Sequence, residues 1–320
     1  MSKKILVLND AFNEQHRDKI RETAAPYGYE VHFFENEEAA LAEASGAEII
    51  YGFGIALVRA AKDLKWLHMS WAGVDGYLKA RVVPDDVLFS NSAGTYGVTI
   101  AEHVVMTALM LMREQMFYGR AMDQRDWQAP RPQKTLKDAR ITMLGAGDIG
   151  TTTARRLKAF EPASITAVNR TGHHDDPVFD AVYPQTELER VLPETDLLVM
   201  SLPSTAATQG ILNKHTLSLL PSEALVINVG RGTAVVEEDL VEALKAGTIA
   251  GAALDVFSVE PVPADSPLWD TPHLLMTPHI AGNLTAPYTT QKNVDMFCED
   301  LVNYCEGRKL KYEVDRQLGY

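Results

Sequence analysis

A chain of 320 residues, 46% apolar and 23% charged, is long for one domain and ample for two, each with its own core. Its net charge of −13 is spread along the chain, which favours solubility and argues against a nucleic-acid partner, since such a partner calls for a basic stripe. No apolar run approaches the ~20 residues that span a bilayer, and the opening MSKKILVLND lacks the length and cleavage site of a signal peptide.

The first ninety residues alternate strand-like and helix-like segments. KKILVLND, YEVHFFE, AEIIYGF, LKWLHMS and VLFSNS read as short buried strands, with helical stretches such as 13 to 26 and 36 to 45 between them. Alternation of this kind implies right-handed βαβ units and a parallel sheet. One long helix is then expected from near Val98, over TIAEHVVMTALMLMREQMFYGRAM, followed by a polar linker, DQRDWQAPRPQKTLKDA. After it the alternation restarts with six strand candidates: RITMLG, SITAVNR, DLLVMSL, ALVINVG, IAGAALDVF and HLLMTP. A last amphipathic helix begins after Thr285. Its Cys298 and Cys305 stand seven residues apart, ~10 Å along a helix and too far for a disulfide, so both read as reduced thiols of a cytoplasmic protein. The expected fold class is α/β, with two Rossmann-like, doubly wound parallel-sheet domains. One comprises residues 1–97 with 285–320 returning to it, the other residues 98–284.

In ITMLGAGDIGTTTARRLKAF, Gly145, Gly147 and Gly150 have the G-x-G-x-x-G spacing between an apolar strand and a helix. The first glycine makes a tight turn, the second lets the backbone approach a pyrophosphate, and the third lets helix and strand pack closely. The helix N-terminus supplies N–H donors to the phosphate. The next strand ends in AVNRTGHH, with Asn169 and Arg170 where an NAD binder usually carries an acid. An arginine there suits a 2′-phosphate, with Thr171 and His173 assisting, so NADP(H) is favoured and NAD(H) is the alternative.

Three charged residues follow apolar strands in the second half: Arg231 in INVGRG, Glu260 in DVFSVEP and His279 in TPHIAG. In open α/β sheets ligands bind outside the carboxyl ends of the strands. Together with AGVD (72 to 75), AEHV (101 to 104), GAGDIG (145 to 150) and SLPSTAATQGIL (201 to 212), these segments give seven matches in order. By them the chain resembles the D-isomer-specific 2-hydroxyacid dehydrogenase family over nearly its whole length, in the manner of its NADP-type glyoxylate/hydroxypyruvate reductases.

That resemblance implies a flavodoxin-like substrate domain beside the dinucleotide domain, and a reversible hydride transfer that reduces small 2-oxo acids to D-2-hydroxy acids. Arg231 would bind the substrate carboxylate and polarise the 2-oxo group, its planar fork meeting a carboxylate with two parallel bonds. His279 would be the general acid, since an imidazole exchanges its proton near neutral pH. Glu260 would pair with His279, favour the imidazolium and orient the ring. Backbone N–H groups at Ala72, Gly73 and Val74 would meet the substrate carboxylate. The implied cofactor surface adds Asp148 and Ile149, then Leu202, Pro203 and Thr208, then Val229 and Gly230. Thr99 and Asp255 would lie near the nicotinamide carboxamide. Asn228 sits on the strand leading to Arg231. A homodimer through the long helix is implied, and no metal.

His103 reads as structural, on the apolar face of a helix, and His173, His174, His215 and His273 as loop or surface residues. The methionines of 106 to 116 read as core or subunit-interface fillers. Formate dehydrogenase, of the same fold, has glutamine where this chain has Glu260, so the glutamate argues for oxo-acid reduction. Two alternatives stand: a short phosphoglycerate dehydrogenase-like enzyme, and a dinucleotide-sensing corepressor-type binding protein. Trp71, Tyr77, Tyr96 and Tyr288 are candidate specificity residues.

Overall fold

Parallel strands need long crossover connections, and in the computed structural model, which describes residues 3–319, every pairing between named strands is parallel. The chain divides into two units, Met1–Tyr96 with Asn283–Tyr320, and Gly97–Gly282.

The first unit runs β1 (Lys3–Leu8), α1 (Glu14–Ala24), β2 (Tyr29–Phe34), α2 (Glu37–Leu41), β3 (Ala47–Tyr51), α3 (Ile55–Ala60), β4 (Trp66–Met69), α4 (Asp75–Lys79) and β5 (Leu88–Asn91). Asn13 starts α1 by a reciprocal cap: its Oδ1 accepts from the His16 N–H at 3.0 Å while its own N–H donates to His16 Nδ1 at 3.3 Å. The five-stranded sheet has the order β2-β1-β3-β4-β5, the flavodoxin-like order. Successive residues of β1 bury into opposite cores, Ile5 and Val7 with Trp66 and Phe297, Leu6 and Leu8 with Leu67 and Phe89. A sheet covered on both faces reads as continuous apolar runs, which is why these strands were visible in the sequence.

The second unit opens with α5 (Gly97–Met112) and α6 (Gln115–Asp123). It continues through β6 (Arg140–Leu144), α7 (Asp148–Leu157), β7 (Ser164–Asn169), β8 (Ala181–Pro184), α8 (Leu188–Val191), β9 (Leu197–Met200), α9 (Lys214–Ser218), β10 (Leu225–Asn228), α10 (Glu237–Ala246), β11 (Gly251–Leu254) and β12 (Leu274–Met276). Its sheet is β12-β11-β10-β9-β6-β7-β8. The chain therefore reverses direction between β6 and β9, the place where doubly wound sheets open a ligand crevice. The last helix, α11 (Pro287–Cys305), belongs to the first unit and joins α1 through Lys19 and Asp295 at 2.6 Å. Cys298 and Cys305 are free thiols. No helix among the described residues is long and apolar enough to cross a membrane.

Two features differ from the sequence reading. The expected long helix is two helices, broken at Glu114, whose φ of 55° is left-handed. The Met112 carbonyl, which a continuing helix would bond, instead accepts from the Lys134 N–H at 2.9 Å as the polar linker returns. The second sheet also has a seventh strand, β8. Its four half-buried residues lie at the sheet edge and end in Pro184, which lacks an N–H to give to a further strand.

Candidate active site

The register of the second sheet aligns the strand ends. Asn228 of β10 faces Leu254 of β11, which faces Met276 of β12, and Leu144 of β6 faces Val168 of β7 and Met200 of β9. Arg231, Glu260 and His279 all follow the carboxyl ends of three consecutive strands. Most of the nominated cofactor residues lie at the ends of β6, β7, β9 and β10, while Asp255 follows β11 and Thr99 lies in α5.

At this rim Glu260 Oε2 lies 2.7 Å from His279 Nδ1, and Glu260 Oε1 accepts from the Phe257 N–H at 2.9 Å. With Nδ1 committed to the carboxylate, Nε2 is the free nitrogen of a side chain that is 50% exposed. His279 sits at φ 53°, a conformation costing a non-glycine residue ~1 kcal/mol or more unless its surroundings hold it. Asp255 supplies that hold. Its carboxylate, 3% exposed, accepts from the N–H groups of Ile280 and Ala281 at 2.9 Å each and from Thr277 Oγ1 at 2.6 Å. Thr277 Oγ1 also lies 3.2 Å from His103 Nε2. Since the hydroxyl donates to Asp255, it accepts from His103, which fixes the proton of the neutral ring on Nε2. Burial lowers the pKa of His103 and the Asp255 carboxylate opposes that shift.

Arg231 joins the cluster through backbone packing. Buried Asn228 clamps the turn before it, accepting from the Gly230 N–H at 3.1 Å and donating to the Arg231 carbonyl at 3.0 Å. A Cβ on Gly232 would lie 1.9 Å from the Phe257 carbonyl carbon, so glycine alone lets the arginine loop meet the segment that holds Glu260. The half-buried Arg231 side chain donates to the Gly230 carbonyl at 2.9 Å.

Around the glycine loop, Gly145 has φ 105°, and a Cβ on Gly150 would lie 2.1 Å from the Gly145 carbonyl oxygen. A Cβ on Gly147 would meet no atom within 4 Å. Neither backbone nor packing requires glycine at 147, so its lack of a side chain leaves clear the space over the first turn of α7, at Asp148 and Ile149. After β7, Asn169 Oδ1 accepts from the Thr171 and Gly172 N–H groups at 3.0 and 2.7 Å and folds the loop into a turn. Arg170 is exposed there and, among the described residues, makes no hydrogen bond or ion pair. His173 is exposed beside Asp175 at 3.0 Å, whereas His174 packs edge-on against Phe179. After β9, Leu202 is buried, and the Thr208 hydroxyl donates to the Pro203 carbonyl at 2.6 Å. Val229 donates its N–H to the Met200 carbonyl at 3.0 Å, and Thr99 lies half-buried in the first turn of α5.

Ala72, Gly73 and Val74 belong to the other unit, past the end of β4. The Asn91 side-chain amide donates to the Ala72 carbonyl at 2.7 Å, and among the described residues the N–H groups of 72 to 74 have no protein acceptor. Sequence reasoning missed Thr277, the tie between His103 and Asp255, and the close approach at Gly232. Only Gly232 carried a local signal, as the second glycine of INVGRG. No group of His, Cys, Asp and Glu with metal-binding geometry occurs among the described residues.

Residues 105–281 match the family model described as "D-isomer specific 2-hydroxyacid dehydrogenase, NAD binding domain". The glyoxylate/hydroxypyruvate reductase A of Klebsiella pneumoniae (strain 342) is 35% identical over 266 residues, 81% of this chain and 83% of its own. A D-isomer specific 2-hydroxyacid dehydrogenase family protein from Aeromonas salmonicida superposes with a TM-score of 0.88 at 30% identity, over 99% of this chain and 100% of its own. The NADPH-dependent glyoxylate/hydroxypyruvate reductase of Sinorhizobium meliloti, solved with NADP and sulfate, does so with a TM-score of 0.83 at 26% identity, over 99% and 100%. On matched length, sequence identity and fold, the chain belongs to the D-isomer specific 2-hydroxyacid dehydrogenase family.

Proposed function

We propose that the protein is an NAD(P)H-dependent reductase that converts small 2-oxo acids to D-2-hydroxy acids, with His279 as general acid in reduction and general base in the reverse direction. The observation that carries this reading is the His279–Glu260 pair, which occupies Nδ1 of a half-exposed imidazole at the rim of the sheet and leaves Nε2 for the substrate. The reduced dinucleotide, when bound, supplies the hydride. His279 Nε2 holds the proton that goes to the carbonyl oxygen, and Arg231 binds the substrate carboxylate and draws electron density from the 2-oxo group. The N–H groups of Ala72, Gly73 and Val74, which have no protein acceptor among the described residues, are donors suited to a substrate carboxylate.

The residues present fit a dinucleotide. The open space at Gly147 takes the pyrophosphate against the first turn of α7, at Asp148 and Ile149. Leu202, Pro203 and Thr208 with Val229 and Gly230 flank the crevice, and Thr99 and Asp255 lie on the nicotinamide side. Arg170, exposed and without a partner among the described residues, favours NADP(H) over NAD(H), as does the NADP bound to the Sinorhizobium meliloti relative. A cytoplasmic homodimer is the proposed assembly. The second unit leaves Met106, Met122 and Trp127 at 46%, 48% and 90% exposure, apolar surface that a second copy would cover.

The test is oxidation of NADPH and of NADH with glyoxylate, hydroxypyruvate, pyruvate and longer oxo acids, with the products other than achiral glycolate resolved by chiral chromatography. Turnover to the D-isomer, faster with NADPH, is expected. Binding of the dinucleotide without reduction of any oxo acid would contradict the reading and leave a sensing role.

A further inference from the structure

Of the four aromatic residues nominated from the sequence, two are set apart by what they touch. Tyr96 is 4% exposed and donates to the Ser70 carbonyl at 2.6 Å, a core contact, and Tyr288 stands 51% exposed in the first turn of α11. Trp71 and Tyr77 instead line one open concavity of the first unit, together with Phe53, Ile55 and Met69. Phe53, Ile55 and Trp71 remain 43%, 39% and 38% exposed, although side chains of this size normally bury. The Phe53 and Trp71 rings lie 5.9 Å apart at 46° and form one wall. Gly73 lines the same concavity, so it is continuous with the 72–74 segment whose N–H groups lack an acceptor among the described residues.

Its electrostatics are one-sided. No Lys, Arg or His lines it among the described residues, and its single carboxylate, Glu37, accepts from the Leu57 N–H at 2.8 Å. The Tyr77 hydroxyl is engaged as well, accepting from the Gly54 N–H at 2.6 Å. An anionic side chain would meet Glu37 without a compensating cation. A hydrogen or hydroxymethyl group would leave the aromatic wall in water.

We propose that this concavity receives the side chain of the 2-oxo acid and that the preferred substrates carry a bulky, uncharged alkyl or aryl group rather than the small groups of glyoxylate and hydroxypyruvate. This rests on the reductase reading given above. A substrate whose carboxylate is held at 72–74 carries its side chain two bonds away, within reach of Trp71 and Phe53. Each methylene-sized group accepted by an apolar pocket is worth ~10–200-fold in kcat/KM.

The full-length protein with saturating NADPH provides the test, using 4-methyl-2-oxopentanoate, phenylpyruvate, 2-oxoglutarate and glyoxylate. The expected kcat/KM for the first two exceeds that for glyoxylate by ~10²-fold or more, with 2-oxoglutarate below both. Phe53→Ala and Trp71→Ala are exposed-site changes that leave the core packed, and each should lower the ratio of phenylpyruvate to glyoxylate by ~10-fold or more. Glyoxylate used as well as phenylpyruvate, or a ratio unmoved in both variants, would overturn the assignment of this pocket while leaving the reductase reading intact. Failure to turn over any oxo acid would overturn the reductase reading, and this proposal with it.

Discussion

Arg170 is a guanidinium without a protein partner among the described residues, at the end of β7 on the loop that Asn169 folds. If it receives a 2′-phosphate, reversing its charge removes an attraction and adds a repulsion. Arg170→Asp should raise KM for NADPH by ~10-fold or more, equivalent to ~1.4 kcal/mol, and leave KM for NADH far less changed. Steady-state titration of both cofactors checks this, and equal effects on the two would remove Arg170 from cofactor choice. Gly232 acts through space that it leaves empty. In Gly232→Ala the new methyl would lie 1.9 Å from the Phe257 backbone, so the loop must shift. Overpacking of this kind costs ~1–3 kcal/mol, read as a lower urea midpoint, and moving Arg231 should lower kcat/KM as well.

At the scale of elements, α7 is held against β6 by the close approach of Gly150 to the Gly145 carbonyl. Gly150→Ala should push the helix outward, weakening NADPH binding in a fluorescence titration and lowering stability by ~1–3 kcal/mol. Retained affinity would mean that the phosphate loop does not depend on that packing. These elements also mark what was readable in the sequence. The strands of both sheets stood out because sheets buried on both faces need continuous apolar runs, and the glycine loop stood out because its spacing fits one strand–turn–helix geometry. Strand β8 was hidden, being short, half-buried and closed by Pro184. The break between α5 and α6 was hidden because it depends on a bond from Lys134 back to Met112. Arg231, Glu260 and His279 could be nominated from their places after strands. Asp255, Thr277 and His103 could not be linked, since the His103–Thr277 contact joins residues 174 positions apart.

Across the whole molecule, acid stability has an identifiable contributor. His68 is fully buried in the first unit, 2.7 Å from Ser90 Oγ through Nδ1 and 3.2 Å from Ser92 Oγ through Nε2. Trp66 donates to Ser90 Oγ and Ser92 Oγ donates to the Met69 carbonyl, so the neutral ring is satisfied at both nitrogens, with its proton on Nε2. Burial pushes the His68 pKa down to about 3. The unfolded chain takes up a proton near ~6.5 that the folded chain refuses, so below that pH the unfolded state binds more protons. This contribution is therefore present above pH ~6.5 and is lost as pH falls toward 3, with a slope approaching ~1.4 kcal/mol per pH unit. Urea denaturation at pH 7 and pH 5 should show that loss, and His68→Asn, less stable at pH 7, should show a smaller difference between the two. An equal difference would assign the acid sensitivity elsewhere. Sedimentation equilibrium should give a species near twice the 35.3 kDa of one chain, and a monomer mass at working concentration would contradict the proposed dimer.

In the proposed reaction His279 Nε2 carries the proton. The direct measurement is kcat for His279→Ala at saturating NADPH and oxo acid, with NADPH binding followed in parallel by fluorescence. General acid catalysis supplies ~10²–10⁴-fold, so kcat should fall by ~10²-fold or more while the variant still binds NADPH. A kcat within a few-fold of the unaltered protein would contradict this role and return His279 to a structural one.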